Sequence, residues 1–525
     1  MNRLLLYWNT IRYLKPSQAF SRICKQIGVP TGYRSKLSQR PASVHLIDSP
    51  EQLDYDPEFL CRFDSDALLN DSVSFLHSTT TFGWNTEWNV PSQTPLWNFN
   101  LHYFEYLMPL LARYRETERR IYLDKAVQCI SAWIDWNPRS TGGAGWSAYT
   151  VSVRLVYWLS FYGAASDVIP EAFSRKMLDS MFEQHQFLAR HPETDLLGNH
   201  YFENLKALIL SSIFWGDTQM ERTALRLFRR QCVEQILPDG MHCERSPMYH
   251  ALMTEAVLRA AAALQGAGRD IAWMTPVIEK MLSAALTLQD GLARFPLFQD
   301  CGINVAKSLH ALLVCGETYF GVRPKAHRAL EDSGFYVFSH GDYQLVVDAF
   351  GPSPSHNPGH AHCGAMGFEL FHHGKPFLIQ CGTYAYQDES RVFFRSTAAH
   401  NTVMLNGHEQ SECWDVFRVA RRSNVRVISV RENGLTMELR DAYGDVCRRS
   451  ITLDECLTVE DESSGNQIQS YVHTLVRSDA ERICNFVEGS AVVVERPSAE
   501  AFGLKRSAWA VETSAADRTA LRLPL

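Results

Sequence analysis

Residues 126–134 read AVQCISAWI, and this stretch carries the pattern on which the fold depends. Its apolar side chains recur three and four positions apart, so Ala126, Ile130 and Trp133 share one helical face. The same spacing continues in residues 155–162 (LVYWLSFY). Similar segments centre near residues 110, 180, 207, 228, 257, 281 and 312. Nine helices in about 220 residues predict consecutive helical hairpins, which either stack side by side or close into a ring.

The period changes near residue 333, where alternating apolar and polar residues replace the helical pattern. Residues 343–350, 425–430 and 435–440 predict β-strands, and the pair Asn433-Gly434 predicts a hairpin turn between the last two. Short strands and turns continue to about residue 510. We therefore expect an antiparallel β-sandwich in this part of the chain.

The chain is expected to have three parts: a partly helical arm over residues 1–95, a helical domain over 96–325 and a β-sandwich over 333–525. A loop rich in proline, glycine and histidine, residues 351–360, is expected to lie between the helical and the β part. Because a cleft between domains is a usual place for a ligand, we expect the functional site at this junction.

The composition excludes several classes of protein. The 525 residues are 46% hydrophobic and 21% charged, and 51 Lys and Arg against 58 Asp and Glu give a formal net charge of −7. A disordered, collagenous or coiled-coil chain would differ strongly from these values. The mildly acidic balance predicts no nucleic-acid partner, and the lack of an apolar run of about 18 residues predicts no membrane insertion.

The cysteines and the start of the chain bear on the compartment. Thirteen cysteines lie between Cys24 and Cys484 without a CxxC pair, as expected for free, mostly buried thiols. The first apolar run is interrupted by Asn9, Arg12 and Lys15 before it reaches the length of a signal-peptide core. We therefore expect a cytoplasmic protein, with the periplasm or cell envelope as the alternative.

Aromatic residues are numerous, with 12 Trp, 20 Tyr and 28 Phe. In residues 97–103 (WNFNLHY) they alternate with Asn and His. Such a run forms either a surface that holds sugar rings or an aromatic core with polar neighbours. In the first case Asn100 and His102 are candidate sugar contacts.

The first candidate cluster, residues 198–203 (GNHYFE), opens a predicted helix. His200 lies three positions and Asn199 four positions before Glu203, so these side chains share one helical face. The cluster is either part of a polar site or a helix cap followed by a buried histidine.

The second cluster, residues 239–250 (DGMHCERSPMYH), is a polar turn that leads into another helix. Glu244 lies in the turn, and Pro247 marks the first helical turn, in which Tyr249 and His250 follow. The positive end of the helix dipole would favour a tyrosinate or a bound carboxylate there. An ordinary turn with a packed tyrosine is the alternative.

The third cluster is His360-Ala361-His362. In a strand these two imidazoles point to the same side, and His-x-His is a frequent metal-ligand spacing that needs further ligands. The candidate partners are Gln380, Cys381 and His400, and a loop rich in His and Pro without a function is the alternative.

The fourth cluster, residues 391–402 (RVFFRSTAAHNT), contains Arg395. Its guanidinium either clamps a carboxylate through two hydrogen bonds or is solvated at the surface. No GxSxG, Walker loop, Gly-rich dinucleotide turn or HExxH is present. The commonest hydrolase, NTPase, Rossmann and zincin assignments are thereby excluded.

Taken together and in order, the four clusters resemble the heparinase II/III-like family of polysaccharide lyases, over about residues 96–412 with looser similarity to the end. The resemblance implies a multidomain α-then-β fold, with an N-terminal (α/α) toroid of helical hairpins followed by a C-terminal antiparallel β-sandwich. It also implies β-elimination in a uronic-acid-containing poly- or oligosaccharide, glycosaminoglycan-like or alginate-like. An acidic saccharide would then be the partner, and no cofactor would be required.

The same resemblance implies roles for individual residues. Tyr249 and His360 match the family's catalytic tyrosine and histidine. Asn199 or His200 matches the residues that neutralise the uronate carboxylate. Glu203 matches a nearby supporting acid. The other supporting or substrate-binding candidates, which come from the clusters and the aromatic run, are Glu244, His250, Arg395, Tyr384, Asn100 and His102.

Some members of the family hold a zinc ion, and His362 and His400 match two of its ligands. The third ligand in those members is usually an Asp in a segment ending Asp-Pro-Gly-Thr-Tyr. Here the segment reads LIQCGTY, so Gln380, a neutral and poor zinc ligand, stands in that place. Cys381 or Cys363 would be the substitutes, and a structural zinc is an expectation that depends on them.

In such an elimination the uronate carboxylate is neutralised, a base removes the C5 proton and an acid protonates the departing O4. Tyr249 and His360 can share the roles of base and acid. Because tyrosine titrates at about 10, a tyrosinate would need help from His250, Arg245 or the helix N-terminus.

Two other functions compete with the lyase. A glycoside hydrolase would use paired carboxylates such as Glu203, Glu244 and Asp300. A non-catalytic carbohydrate-binding or assembly protein for a surface polysaccharide would form no product at all. Elimination differs from both, because it creates an unsaturated uronate that absorbs in the ultraviolet.

Overall fold

The computed structural model describes residues 3–525. The described chain begins with a mainly helical arm. Its elements are α1 (Arg3–Ile11), α2 (Pro16–Gln26), α3 (Glu51–Asp54), α4 (Pro57–Leu60), α5 (Ser65–Leu69), β1 (Ser72–Phe75) and β2 (Ser78–Thr81). The two strands form an antiparallel hairpin.

Ten α-helices follow one another in the next part of the described chain. They are α6 (Pro95–Tyr103), α7 (Leu107–Thr117), α8 (Arg120–Trp136), α9 (Ala148–Ala165), α10 (Glu171–Arg190), α11 (Gly198–Trp215), α12 (Thr218–Gln235), α13 (Pro247–Gly266), α14 (Thr275–Gln289) and α15 (Leu309–Phe320). The sequence pattern predicted nine of them and missed α6. That helix buries Trp97 and Leu101 on one side but also carries the aromatic Phe99 and Tyr103 on another, so its apolar pattern has no clear period.

The helices are arranged in two layers. α9, α11 and α13 are buried almost all round, and α11 packs against both of the others. α8, α10 and α12 bury one face and expose the opposite one. Buried inner helices paired with amphipathic outer ones are what a toroid of helical hairpins requires, so the predicted fold of this part is confirmed. None of the helices in residues 3–525 combines the length and apolarity needed to cross a bilayer.

The rest of the chain is mainly antiparallel sheet, with two short helices, α16 (Arg391–Phe394) and α17 (Arg477–Cys484). One sheet has the order β3-β4-β5-β6-β7: β3 (Ala329–Leu330), β4 (Phe335–His340), β5 (Tyr343–Asp348), β6 (Gly367–His372) and β7 (Lys375–Leu378). A hairpin follows β8 (Val403–Leu405) and consists of β9 (Cys413–Trp414) and β10 (Arg418–Val419).

The remaining strands are β11 (Asn424–Arg431), β12 (Gly434–Arg440), β13 (Val446–Leu453), β14 (Cys456–Glu462), β15 (Ile468–Thr474), β16 (Val487–Glu488), β17 (Ser490–Ala501), β18 (Leu504–Ala515) and β19 (Arg518–Pro524). They form a sheet of order β11-β12-β13-β14-β19-β16 and, with β8, another of order β17-β18-β15-β8. Side chains from all three larger sheets meet in one hydrophobic core, which confirms the predicted sandwich. The predicted hairpin turn pairs Arg431 with Gly434.

One local prediction is wrong: His360 and His362 lie in an irregular segment between β5 and β6, not in a strand. This segment, residues 349–366, faces the helical body. Arg294 lies in the connection between α14 and α15 and donates to Glu369 of β6 at 2.9 Å, in a buried ion pair that ties the two parts together.

We predict that Glu369→Gln lowers stability markedly, because it leaves the buried Arg294 guanidinium without its main counter-charge. The expected loss is about 2 kcal/mol, less than for a fully unpaired buried charge because Glu500 remains 3.4 Å from Arg294. Urea unfolding measures it through the transition midpoint. Glu432→Gln is the control, since its pair with Arg328 is long, 4.0 Å, and exposed. Equal midpoints for the two variants would contradict the prediction.

Candidate active site

A cleft of about 410 Å³ lies between the inner helices and the loops of the sandwich. Its walls come from α6, α9, α11 and α13 on one side and from the 357–360, 386–387, Phe417 and Phe502 positions on the other. Aromatic rings dominate the lining: Phe99, Tyr103, Tyr149, Tyr157, Tyr249, Tyr386, Phe417 and Phe502. Such a surface is suited to the apolar faces of sugar rings.

Tyr249 is held at the start of α13. The N-cap residue Ser246 accepts a hydrogen bond from the Tyr249 backbone N–H and donates its own hydroxyl to the carbonyl of Asp300 at 2.6 Å. The Tyr249 ring lies 4.1 Å from the His360 ring, centroid to centroid. Its hydroxyl lies 2.8 Å from that of Tyr386. A hydroxyl and an imidazole are thus placed side by side in the cleft.

His360 is oriented by a buried carboxylate. Its Nδ1 lies 2.9 Å from Asp300 Oδ2. The other oxygen of Asp300 accepts from His362 Nε2 at 2.9 Å, and Arg391 pairs with both oxygens. Thr383 completes the group at 3.3 Å. The two imidazoles of the His-x-His sequence therefore contact one common group, as predicted. That group is the Asp300 carboxylate, and the two histidines approach it from a loop.

Asp300 stays ionised in this environment. Burial alone would raise its pKa, but Arg391 and the hydrogen bonds from His360 and His362 hold it well below the usual range. An anionic Asp300 accepts a hydrogen bond from His360 Nδ1–H, which leaves the acceptor lone pair of the imidazole on Nε2. Nε2 lies 3.4 Å from Asn199 Nδ2, at the cleft.

Asn199 is fixed by Glu244. The Asn199 amide donates to both carboxylate oxygens of Glu244, at 3.1 and 2.9 Å, and its backbone N–H donates to one of them at 3.2 Å. The carboxylate thereby caps the N-terminus of α11. Gly198 permits this approach: its φ is +56°, and a Cβ there would lie 2.5 Å from Glu244 Oε1. Burial raises the pKa of Glu244, but the nearby His242 and the hydrogen bonds from Asn199 outweigh it and the pKa is lowered.

His200 lines the cleft beside the Tyr149 ring, 4.6 Å away. Its Nδ1 lies 3.1 Å from Glu193 Oε1. Burial alone would lower the pKa of His200, but the Glu193 carboxylate more than offsets it and raises the pKa above the ordinary value. His200 is therefore suited to present a positive charge to an anion.

The permanent charges of the described cleft lining are largely balanced. Lys206 pairs with Glu203, and Arg62 pairs with Glu105 at 2.7 Å. Burial keeps the pKa of Glu203 raised in spite of Lys206. Glu255, also in the lining, pairs with the buried Arg259.

The expectation that His250 or Arg245 would help to ionise Tyr249 is wrong. His250 is fully buried and bonds the carbonyl of Met281 at 2.9 Å, and Arg245 stacks over Phe350 at 3.3 Å. Burial and the nearby Asp300 raise the pKa of Tyr249 well above 10.0. The tyrosine is therefore protonated at rest.

Three other candidates lie outside the cleft lining. His102 is buried between the Trp88 carbonyl and the Trp133 indole, 2.9 Å from each partner, because its side of α6 faces the core. Arg395 donates to carbonyl oxygens of Ala361, Asp415 and Val416, so it holds loops together. Tyr384 lies under Lys505, 4.0 Å from its Nζ. Asn100, by contrast, lines the cleft.

The residues expected for a zinc ion do not form a complete site. His362 and His400 face each other, 5.2 Å between ring centroids, and His362 Nδ1 and His400 Nε2 have no hydrogen-bond partner. Gln380 Oε1, however, bonds His400 Nδ1 at 2.7 Å. Cys363 donates to Ser411, and Cys381 is buried in an apolar cluster. Across residues 3–525 no group of three or more His, Cys, Asp or Glu is arranged to hold a metal ion, so the anionic third ligand is lacking.

Sequence reasoning missed part of the site. Tyr386, two residues beyond the candidate Tyr384, is the tyrosine that reaches Tyr249. The sequence pattern draws attention to Arg395 and not to Arg391, which opens the same cluster, and it suggests Asp300 only as a hydrolase carboxylate. The His-x-His spacing indicates that the two imidazoles share a partner, and a buried carboxylate is one such partner. Nothing in the sequence, however, says which carboxylate lies against them.

Residues 66–323 match the family model described as heparinase II/III N-terminus, and residues 322–522 match heparinase II/III-like, C-terminal. A heparin-sulfate lyase of Pedobacter heparinus is 24% identical over 356 residues, 61% of this chain and 53% of that protein. One of Bacteroides thetaiotaomicron is 25% identical over 178 residues, 32% of this chain and 25% of that protein. The chain thus spans about half of the first relative's length and a quarter of the second's.

Solved structures show the same fold. A crystal structure of heparinase III superposes with a TM-score of 0.64 at 15% identity, covering 97% of this chain and 92% of that one. The heparan sulfate lyase structure from Pedobacter heparinus gives a TM-score of 0.52 at 18% identity, with 97% and 88% covered. These identities support a shared fold and nothing finer.

We predict that Gln380→Asp binds zinc more fully than the native protein, because it places a carboxylate next to His400, whose ring faces that of His362. The expected result is about one zinc per chain in Gln380→Asp and well below one in the native protein. Metal analysis by mass spectrometry after dialysis measures it. Gln380→Asn, neutral and of the same length as Asp, is the control; equal zinc in the two variants would contradict the prediction.

Proposed function

The chain belongs to the heparinase II/III-like family, and from this premise and the geometry of the cleft we propose that it is a polysaccharide lyase. Its substrate would be a uronic-acid-containing poly- or oligosaccharide, cleaved by β-elimination. The relatives named above as heparin-sulfate lyases support a glycosaminoglycan-like substrate. The family membership supports the class of reaction, and the residues of the cleft support how it is carried out.

The observation that carries the proposal is the juxtaposition of Tyr249 and His360, 4.1 Å between ring centroids, with Asn199 beside His360 Nε2. β-Elimination needs a base for the C5 proton, an acid for the leaving oxygen and a group that neutralises the carboxylate between them. The cleft supplies one residue of suitable chemistry for each role.

Carboxylate neutralisation falls to Asn199 and His200. The amide of Asn199, held by Glu244, donates hydrogen bonds, and His200, whose pKa is raised, adds positive charge. Together they stabilise the negative charge that grows on the carboxylate as the C5 proton leaves. Without such stabilisation the C5–H bond would be too weakly acidic for an imidazole to break.

Proton transfer falls to His360 and Tyr249. His360 Nε2 takes the C5 proton, the C–H electron pair forms the C4–C5 double bond, and the C4–O4 bond breaks. Tyr249, protonated at rest because its pKa is raised, gives its proton to O4. The imidazolium of His360 then returns its proton to the Tyr249 oxygen, directly or through solvent, and both groups regain their starting states.

The hydrolase alternative has less support. Glu244 is buried and accepts hydrogen bonds from Asn199, Asp300 is fully buried beneath His360 and His362, and Glu203 pairs with Lys206. Only Glu203 of these three carboxylates lines the cleft. A pair of carboxylates flanking a scissile bond is what a hydrolase of this kind requires.

We predict that the protein releases an ultraviolet-absorbing unsaturated product from at least one uronic-acid polymer and that Tyr249→Phe reduces kcat about 10²- to 10⁴-fold, the worth of a positioned acid. A panel of heparan sulfate, hyaluronan and alginate, followed by absorbance, measures both. Tyr384→Phe is the matched control, since that tyrosine lies outside the cleft lining, and it should keep native rates.

Two results would contradict the lyase. New reducing ends without ultraviolet absorbance would indicate hydrolysis, and a folded Tyr249→Phe enzyme with native rates would remove the tyrosine from its role. Circular dichroism and an unchanged melting temperature establish that each variant is folded.

We predict a pH dependence that Glu193 controls. The raised pKa of His200 keeps its imidazolium to higher pH, so activity should fall on the alkaline side as His200 loses its proton. Glu193→Gln removes the main cause of the raised pKa, so the alkaline limb of kcat/KM should move to lower pH while the acid limb stays in place. Superimposable pH profiles would contradict this role of His200.

A further inference from the structure

A second cavity, of about 640 Å³, adjoins the catalytic cleft. Leu196, Asn357 and Phe417 line both spaces, so the two cavities are neighbours separated by these shared residues. Helices α1 and α2 of the N-terminal arm form one wall, and the β9–β10 hairpin and residues 356–358 form the opposite one. We call this cavity the arm chamber.

The arm that walls this chamber is fixed to both parts of the protein. Trp414 of the β9–β10 hairpin donates its indole N–H to Thr10 at 3.0 Å and packs edge-on against Tyr7. On the helical side, Lys25 pairs with Asp195 at 3.1 Å. The chamber is therefore a built space, with walls from three segments that hold one another in position.

The arm chamber carries an excess of positive charge. Its lining has four permanent cations, Arg22, Lys25, Arg418 and Arg422, against two carboxylates, Asp195 and Asp415. Lys25 and Arg418 pair with those carboxylates, the latter at 3.6 Å. Arg422 donates to the Ser355 carbonyl and stacks on the Tyr13 ring. Neither of these contacts involves a carboxylate that would neutralise its positive charge.

The excess reflects the sequence of the arm. Its first 47 residues contain eight Lys and Arg and no Asp or Glu, although the whole chain has a net charge of −7. The catalytic cleft differs, because Arg62 and Lys206 there are each paired with a glutamate. An acidic polymer that extends beyond the cleft would therefore be attracted mainly by the excess positive charge of the chamber, because the cations of the cleft are already paired.

We propose that the arm chamber is a second saccharide subsite, which binds further acidic sugar residues of the same glycan whose uronate reacts in the cleft. This rests on the proposed function. Arg22 and Arg418 attract carboxylate or sulfate groups of the chain, and the rings of Tyr7 and Phe417 offer apolar surface to the sugar faces. The arm, most of which precedes the family match at residue 66, thus adds length selectivity to the enzyme.

The test removes the positive charge without touching the cleft. In the double variant Arg22→Glu/Arg418→Glu, both altered side chains are exposed enough to be replaced without loss of core contacts. Binding of heparan sulfate, hyaluronan and alginate fragments of increasing length is measured by calorimetry, and turnover is measured by absorbance. Arg175→Glu, an exposed charge reversal on the outer helix α10, is the control.

The expected result is a dissociation constant for long fragments raised about 10-fold or more at low salt, with kcat on the shortest cleaved fragment unchanged. The native protein should also gain affinity with fragment length, and the double variant should lose that gain. Equal affinities for the double variant and Arg175→Glu would overturn the subsite, as would no binding of any of the three glycans. If polyglutamate bound as tightly as the best glycan, the chamber would be a general polyanion surface and the saccharide subsite would be overturned.

The two proposals fail in different ways. If no unsaturated product forms from any polymer, the lyase is wrong, while loss of length-dependent binding in the double variant still supports the chamber as a saccharide site. If product forms but affinity does not depend on the arm, the lyase stands and the chamber is wrong.

Discussion

The rest of the site depends on the interactions of one buried carboxylate, that of Asp300. It accepts hydrogen bonds from His360 and His362 and pairs with Arg391, all in the water-poor junction between helices and sheets. An isolated carboxylate would not remain charged there, and the three cationic or donor partners make its ionised form the stable one. Its charge in turn decides which nitrogen of His360 carries the proton.

The two-part architecture follows from the same need. The helical body supplies Asn199 and Tyr249 from the first turns of α11 and α13, where backbone N–H groups are free to be capped by Glu244 and Ser246. The sandwich supplies His360 from the irregular segment between β5 and β6. Neither part holds a complete set, so the chemistry exists only where the two meet.

Much of the fold was predictable from periodicity, because buried inner helices and alternating strands leave a strong record in the sequence. The placement of Tyr249, His360 and Asn199 at the junction was predictable because they stand in short motifs that the family resemblance covers. Asp300 and Tyr386 were not assigned their roles, since their partners lie 60 and 137 positions away along the chain. The same limit explains why His102 and Arg395 were placed wrongly. Tertiary contacts alone decide that the His102 side of its helix faces the core and that Arg395 donates to loop carbonyls.

We infer that Asp300 fixes His360 with its proton on Nδ1 and its lone pair on Nε2, facing the substrate. Nitrogen NMR of ¹⁵N-histidine-labelled protein, with His360→Gln to assign the signals, measures this tautomer directly. We expect the neutral imidazole of His360 to carry its proton on Nδ1 and not on Nε2. A signal from Nε2–H with a bare Nδ1 would contradict it, because that histidine could not accept the C5 proton.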